Sequence, residues 1–239
     1  MLELEVANMG SRGSAGSDRR RDRMGRRWCA AVAVLLTSAC SWVSPGGIVT
    51  GSGEVTSETR TVAAFTEVAA GGGIRLELAT GPQRVVVTAQ PNIADITKTT
   101  VSGSRLTIET TSGYVTPHGV VVKVTAPRFT ALELSGGASA SGTTGTTREL
   151  SLQLSGGARA TVDGTTTNLR IEASGGAIAE LGGLRATNAH VDLSGGVVAS
   201  LDVTGALTGS ASGGVVVNLT AKPARVDVDT SVGAVVHEP

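Results

Sequence analysis

From about residue 128 onward, small apolar and polar residues alternate on either side of a recurrent Ser-Gly-Gly. The serines are Ser135, Ser155, Ser174, Ser194 and Ser212, at steps of 20, 19, 20 and 18 residues, and Ser231-Val232-Gly233 reads as a degenerate sixth copy. Three and one residues before the first four stand Leu132/Leu134, Leu152/Leu154, Ile171/Ala173 and Val191/Leu193. Three and five after all five stand Ala138/Ala140, Ala158/Ala160, Ala177/Ala179, Val197/Ala199 and Val215/Val217. Period-two alternation predicts strands with one buried face. Each repeat is therefore expected to supply two short strands joined at a Gly-Gly hinge.

A strand–turn–strand unit of about 20 residues cannot bury its apolar face alone, but stacked copies can. Each strand then pairs in parallel with its equivalent one coil on, about 4.8 Å away. The expected fold is all-β, a parallel β-helix-like solenoid with roughly 20-residue Ser-Gly-Gly coils. The glycines suit a corner that needs positive φ and lets coils approach closely, and the serine can bond local backbone there. A phosphate-binding loop would need Lys-Ser/Thr after its glycines and a helix beyond them, and no copy supplies either.

Upstream, strand-like runs occur at 73–78, 84–89, 105–110 and 120–126, separated by turn signals. A short helical turn is predicted at 92–97. Residues 53–127 are expected to be irregular first coils or a cap, and 128–239 regular coils. No linker divides them, so 53–239 is one domain.

Aromatic residues make up 2% of the chain and glycine accounts for 33 residues, so any core must be thin and lined by small side chains, as in a solenoid. The zero net charge conceals an asymmetry. The first 39 residues hold seven arginines against four acids, which leaves 13 basic and 16 acidic side chains, a net of −3. A mildly acidic chain nearly without stacking aromatics excludes nucleic acid as partner.

Residues 24–40, "MGRRWCAAVAVLLTSAC", have the parts of a secretory signal: Arg26 and Arg27, an apolar centre and a small-residue exit. The apolar run is about half the roughly 20 residues a membrane span needs. Region 1–39 reads as a signal peptide region, with Met24 as the alternative start. "LLTSAC" resembles the lipobox of bacterial lipoproteins, with Thr37 where leucine is commonest. That resemblance makes Cys40 the lipidation site and residues 40–52 a flexible tether. Ordinary cleavage leaving a free thiol is the alternative.

Several stretches together carry a wider resemblance: "GSGEVTSETRTVAAFTEV" with Arg60 and Phe65, "GGGIRLELATGPQRVVVTAQPNI", and "VVVKVTAPRFTALELSGGASAS" leading into the repeats. Over about 50–239 the chain resembles the head-GIN domain proteins, an auto-transporter adhesin family common among bacterial envelope lipoproteins. Arg75 stands where the family usually has Asn. The resemblance implies a right-handed parallel β-helix-like fold and a surface location. It brings no catalytic residues.

Two columns of side chains emerge if the coils stack in register. Two residues before the serines stand Glu133, Gln153, Glu172, Asp192, Ser210 and Asp229. The ladder Glu133, Glu172, Asp192, Asp229 could take a cation through its oxygens or a polysaccharide, with Arg170 and His190 placed to neutralise part of it. Four residues after them, Ser139 and Arg159 give way to Ile178, Val198, Val216 and Val235, an apolar stripe fit for a partner. His118, His190 and His237 show no metal-ligand spacing, and no catalytic or cofactor-binding residue is expected. The last coil leaves an unpaired edge. The expected function is a non-catalytic, lipid-anchored envelope module that presents surface to an envelope protein, a glycan or a second copy of itself. The alternative is a cation- or polysaccharide-binding module.

Overall fold

The computed structural model describes residues 47–231 and 233–239. The signal region, Met24, Cys40 and the tether up to residue 46 lie outside the described residues. In chain order the elements are β1 (Val49–Thr50), β2 (Thr56–Arg60), β3 (Glu67–Ala70), β4 (Arg75–Thr80), β5 (Arg84–Ala89), α1 (Pro91–Ile96), β6 (Thr97–Ser102), β7 (Arg105–Thr110), β8 (Tyr114–Val115) and β9 (Val121–Ala126). The repeats follow as β10 (Ala131–Leu134), β11 (Ser139–Leu154), β12 (Arg159–Gly175), β13 (Ile178–Gly195), β14 (Val198–Val203), β15 (Ala206–Gly213), β16 (Val216–Leu219), β17 (Arg225–Ser231) and β18 (Val235–His237).

These strands stack into a parallel β-solenoid. One ladder runs β7, β3, β10, the C-terminal parts of β11 to β13, β15 and β17. A second runs β9, β4, the N-terminal parts of β11 to β13, β14, β16 and β18. The positions that alternation marks as inward, Leu132, Leu152, Ile171 and Val191 among them, are buried, as are the alanines and valines after each Gly-Gly. Core volume is balanced within coils. Where Gly209 and Ala211 replace larger residues, Val215 and Val217 stand where earlier coils have alanine, which keeps the interior close-packed.

The glycines divide their work unequally. Gly156, Gly175, Gly195 and Gly213 have φ between 69° and 87°. A Cβ on any of them would lie 2.9–3.2 Å from the carbonyl oxygen of the equivalent glycine one coil earlier. The second glycine of each pair has ordinary space, 3.5 Å or more at Gly157, Gly176, Gly196 and Gly214. Its N–H instead ties the coils together: Gly157 donates to Gly136, Gly176 to Gly156 and Gly196 to Gly175, at 2.7–2.8 Å. The serine hydroxyls face solvent rather than local backbone. It is the backbone N–H of Ser135 and Ser155 that bonds the coil below, through Ala70 and Leu134.

Two expectations are corrected. The later coils are pairs of short strands, β14 with β15 and β16 with β17, but β11, β12 and β13 run 16, 17 and 18 residues, and a third ladder joins their middles, Gly145–Leu150 to Gly164–Leu169 and on to Leu184–Ala189. Bulges rather than loops take up the bend there. The sequence disguises this ladder because buried threonines look like loop residues. Thr144 and Thr166 are satisfied by donating to the carbonyls of Asp163 and Asn168.

Nor do the coils stack in sequence order. The coil of β3 and β4 lies between the first repeat coil and a coil formed later in the chain by β7 and β9. Antiparallel β6 flanks β7, and β5 and then β2 flank β9. Residues 53–127 are thus both first coils and cap. Helix α1, begun by a proline where no N–H is needed, buries Ile93 and Ala94 in this cap. The tether also ends earlier than residue 52. β1 pairs with β8, Ser52 N–H donates to Asn92 Oδ1, Asn92 Nδ2 donates to the Thr50 carbonyl, and Gln90 Nε2 donates to the Gly53 carbonyl.

Gly195→Ala is expected to lower unfolding free energy by about 1–3 kcal/mol, the cost of an alanine held in the left-handed region. Gly196→Ala should cost less than about 1 kcal/mol. Urea unfolding of the two variants checks this asymmetry.

Candidate functional site

Parallel in-register stacking turns the two columns of the sequence into physical ones. Ile178 pairs with Val198, Val198 with Val216 and Val216 with Val235. All four side chains point outward from the second ladder. Val198 and Val235 are 39% and 43% exposed, and Ile178 and Val216 half-buried. Arg159 continues the column below Ile178, where its guanidinium meets Glu180 at 2.9 Å. The stripe is therefore a bounded apolar strip that begins above an ion pair and runs to the open end of the solenoid. At that end β17 and β18 each have a strand on one side only, and Val226 is 36% exposed.

The acidic column also forms: Glu133, Gln153, Glu172, Asp192, Ser210 and Asp229 are successive register partners. Three of its four carboxylates, all but Asp229, are already engaged. Arg170 bridges Glu172 at 2.8 Å and Asp192 at 3.1 Å, His190 Nε2 lies 3.3 Å from Asp192, and the Ser210 hydroxyl lies 3.3 Å from the other Asp192 oxygen. Arg105 reaches Glu133 and Glu67. Arg105 was not legible as a partner, since only the out-of-order stacking of β7 beneath β3 brings it there. A shallow groove of about 370 Å³ runs along the ladder, with Ser155, Ser174 and Ser194 on its other wall. Among the described residues no three His, Cys, Asp or Glu side chains gather as a metal-ligand set. His118 and His237 stand apart from the column, in the loop before β9 and in β18. Tyr114, the lone tyrosine, donates its hydroxyl to the Gly72 carbonyl at 3.1 Å, and burial pushes its phenol above the ordinary value.

A larger open groove, about 1160 Å³, lies where the third ladder begins. It is lined by Arg128 and Arg148 together with Thr147, Ser151, Thr167 and Asn168. No sequence pattern marks it, because it arises where the crossing from β9 to β10 passes beside residues 144–151: Phe129 N–H donates to the Thr144 carbonyl and Ser151 N–H to the Thr130 carbonyl.

Comparison with known proteins places this architecture. The family model described as "Putative auto-transporter adhesin, head GIN domain" matches residues 64–223. A crystal structure titled a putative adhesin from Bacteroides fragilis aligns with a TM-score of 0.61 at 15% identity, covering 80% of this chain and 100% of that one. One titled a putative adhesin from Parabacteroides merdae aligns at 0.49 and 16% identity, covering 80% and 98%. One titled a putative lipid binding protein from Parabacteroides distasonis aligns at 0.47 and 13%, covering 81% and 100%. Of the three, the Bacteroides structure is near enough in backbone to show the shared solenoid fold. No curated protein matches the chain.

Arg170→Ala leaves Glu172 and Asp192 facing each other as like charges on adjacent strands, a destabilising arrangement. Because all three groups are substantially exposed, the expected loss is below about 1 kcal/mol. It should shrink in high salt, where the repulsion is screened. Denaturant midpoints at low and high NaCl measure it.

Proposed function

This chain belongs to the head GIN domain family, and from that premise we propose that it is an exported, lipid-anchored module of the bacterial cell envelope that works without catalysis, by presenting its solenoid surface to a partner. The observation that carries the reading is the stripe of Ile178, Val198, Val216 and Val235. Four β-branched residues on one outward column hold exposed apolar area in a line, where a monomeric surface would ordinarily scatter it. Adhesin-like relatives support a surface location. The acidic ladder is a weaker candidate for the contact, because Arg170 and Arg105 already occupy three of its four carboxylates.

Anchoring at Cys40 belongs to the same reading. The lipobox-like "LLTSAC" supports it, as does the place where the chain joins the solenoid. β1 docks on β8, between the two strands of the cap coil. Eight residues separate Cys40 from Val49, a reach of at most about 32 Å. An anchored molecule would thus hold its capped end toward the membrane. Its open end, where the stripe finishes at Val235, would stand several coils away at about 4.8 Å each.

Two outcomes are expected. Cross-linking in envelope extract should capture a partner with the parent chain and lose it with Val198→Asp/Val216→Asp, whose circular dichroism stays that of the parent; equal capture by both would remove the stripe from the reading. Cys40→Ser should abolish incorporation of a labelled fatty acid and release the protein from the membrane fraction. Unchanged labelling would remove the anchor.

A further inference from the structure

The groove at the start of the third ladder goes beyond the stripe and is independent of it. Its position follows from topology. Along β11, residues 139–142 pair downward with β4 and residues 151–154 with β10. No strand pairs with 143–150 on that side, because the earlier coil leaves the solenoid at β4 and turns back into antiparallel β5. The third side of the solenoid therefore begins at β11 with no strand beneath it, only the crossing at 127–130, whose Phe129 N–H meets the Thr144 carbonyl, and the groove occupies that step. It continues upward past β12, with Thr167 and Asn168 on its wall, as far as His190 in β13.

The chemistry of the lining is consistent along this path. Hydroxyl and amide groups line much of it, and the titratable residues are Arg128, Arg148, Arg170 and His190 against Glu67 and Glu149. Several of these are already committed. Glu67 accepts from Ser104 at 2.6 Å and from Arg105, while Arg170 donates to Glu172 and Asp192. Arg128 and Arg148 are exposed and form no ion pair among the described residues. Two uncommitted guanidiniums thus outnumber the one uncommitted carboxylate, Glu149, in a groove whose other polar groups are hydroxyls and an amide. A guanidinium fork matches a carboxylate with two parallel hydrogen bonds, and hydroxyl and amide walls suit a ligand that is itself rich in hydroxyls.

We propose that this groove binds an acidic oligosaccharide, whose carboxylates pair with Arg128 and Arg148 and whose hydroxyls meet Thr147, Ser151, Thr167 and Asn168. An extended acidic peptide could instead add to the open edge of β11. The observations favour the sugar, because the groove climbs across β11, β12 and β13, whereas an added strand would use the edge of β11 alone.

The test is calorimetric titration of the full chain with hexagalacturonate, cellohexaose and a poly-aspartate peptide. Hexagalacturonate should bind and cellohexaose should not, and affinity should fall as salt rises. Arg128→Ala/Arg148→Ala should weaken binding by at least about tenfold, the loss of charge-assisted hydrogen bonds, with thermal unfolding unchanged. Val198→Asp/Val216→Asp should bind as the parent does, which separates failure here from failure of the stripe. Equal affinity for the neutral and acidic sugars, an undiminished double arginine variant, or binding of the peptide in place of the sugar would each overturn the proposal.

Discussion

The structure depends on one close approach, between the Gly-Gly corners of successive coils. At Gly136, Gly156 and Gly175 the first glycine takes a left-handed φ and presents its carbonyl, and the N–H of the next coil's second glycine donates to it at 2.7–2.8 Å. At Gly156, Gly175, Gly195 and Gly213 a side chain would be crowded, since its Cβ would press on the carbonyl of the coil below. The hydrogen bond and the exclusion of a Cβ are one geometric fact. They force the coils into register, and register then aligns everything else. Leucines stack on leucines or isoleucine inside, and carboxylates and valines form straight columns outside.

A solenoid built this way has two unequal ends. At one, the chain spends β2, β5, α1 and β6 covering the first coils, and Phe65 and Phe129, the chain's two phenylalanines, are both buried among the early coils. At the other, β17 and β18 leave Val226 and Val235 open to solvent. The stripe ends at the uncovered end, and residues 49–53 dock at the covered one. This polarity gives the molecule a direction, with a covered end and an end that exposes apolar surface. Strict repetition aligns identical side chains, whereas departures from it create local sites. The groove beside Arg128 and Arg148 exists because one coil fails to make a third side.

Much of this was legible from residues alone. Alternation about each Ser-Gly-Gly identified the inward positions, and the runs at 84–89 and 105–110 coincide with β5 and β7. The outer columns followed from the repeat spacing, because in parallel stacking residues about 20 apart must be neighbours. Beyond the repeats this logic stops. Nothing periodic tells that β7 and β9 lie beneath β3 and β4, and so nothing tells that Arg105 neutralises Glu133. The third ladder was hidden for a different reason. Its threonines are buried by donating to backbone carbonyls, and a threonine satisfied in this way has the same letter as one in a loop.

The sequence by itself determined the solenoid, its corner and its columns, because a repeated local constraint, the glycine that bends most easily there, is written into five of the six copies. Only the tertiary structure decided the order of the first coils, the docking of residues 49–53 and the groove under β11. Each of these rests on contacts between segments far apart in the chain, such as Thr50 with Asn92 or Phe129 with Thr144. Such contacts arise from one-off packing and hydrogen bonding, which leave no period behind to be read.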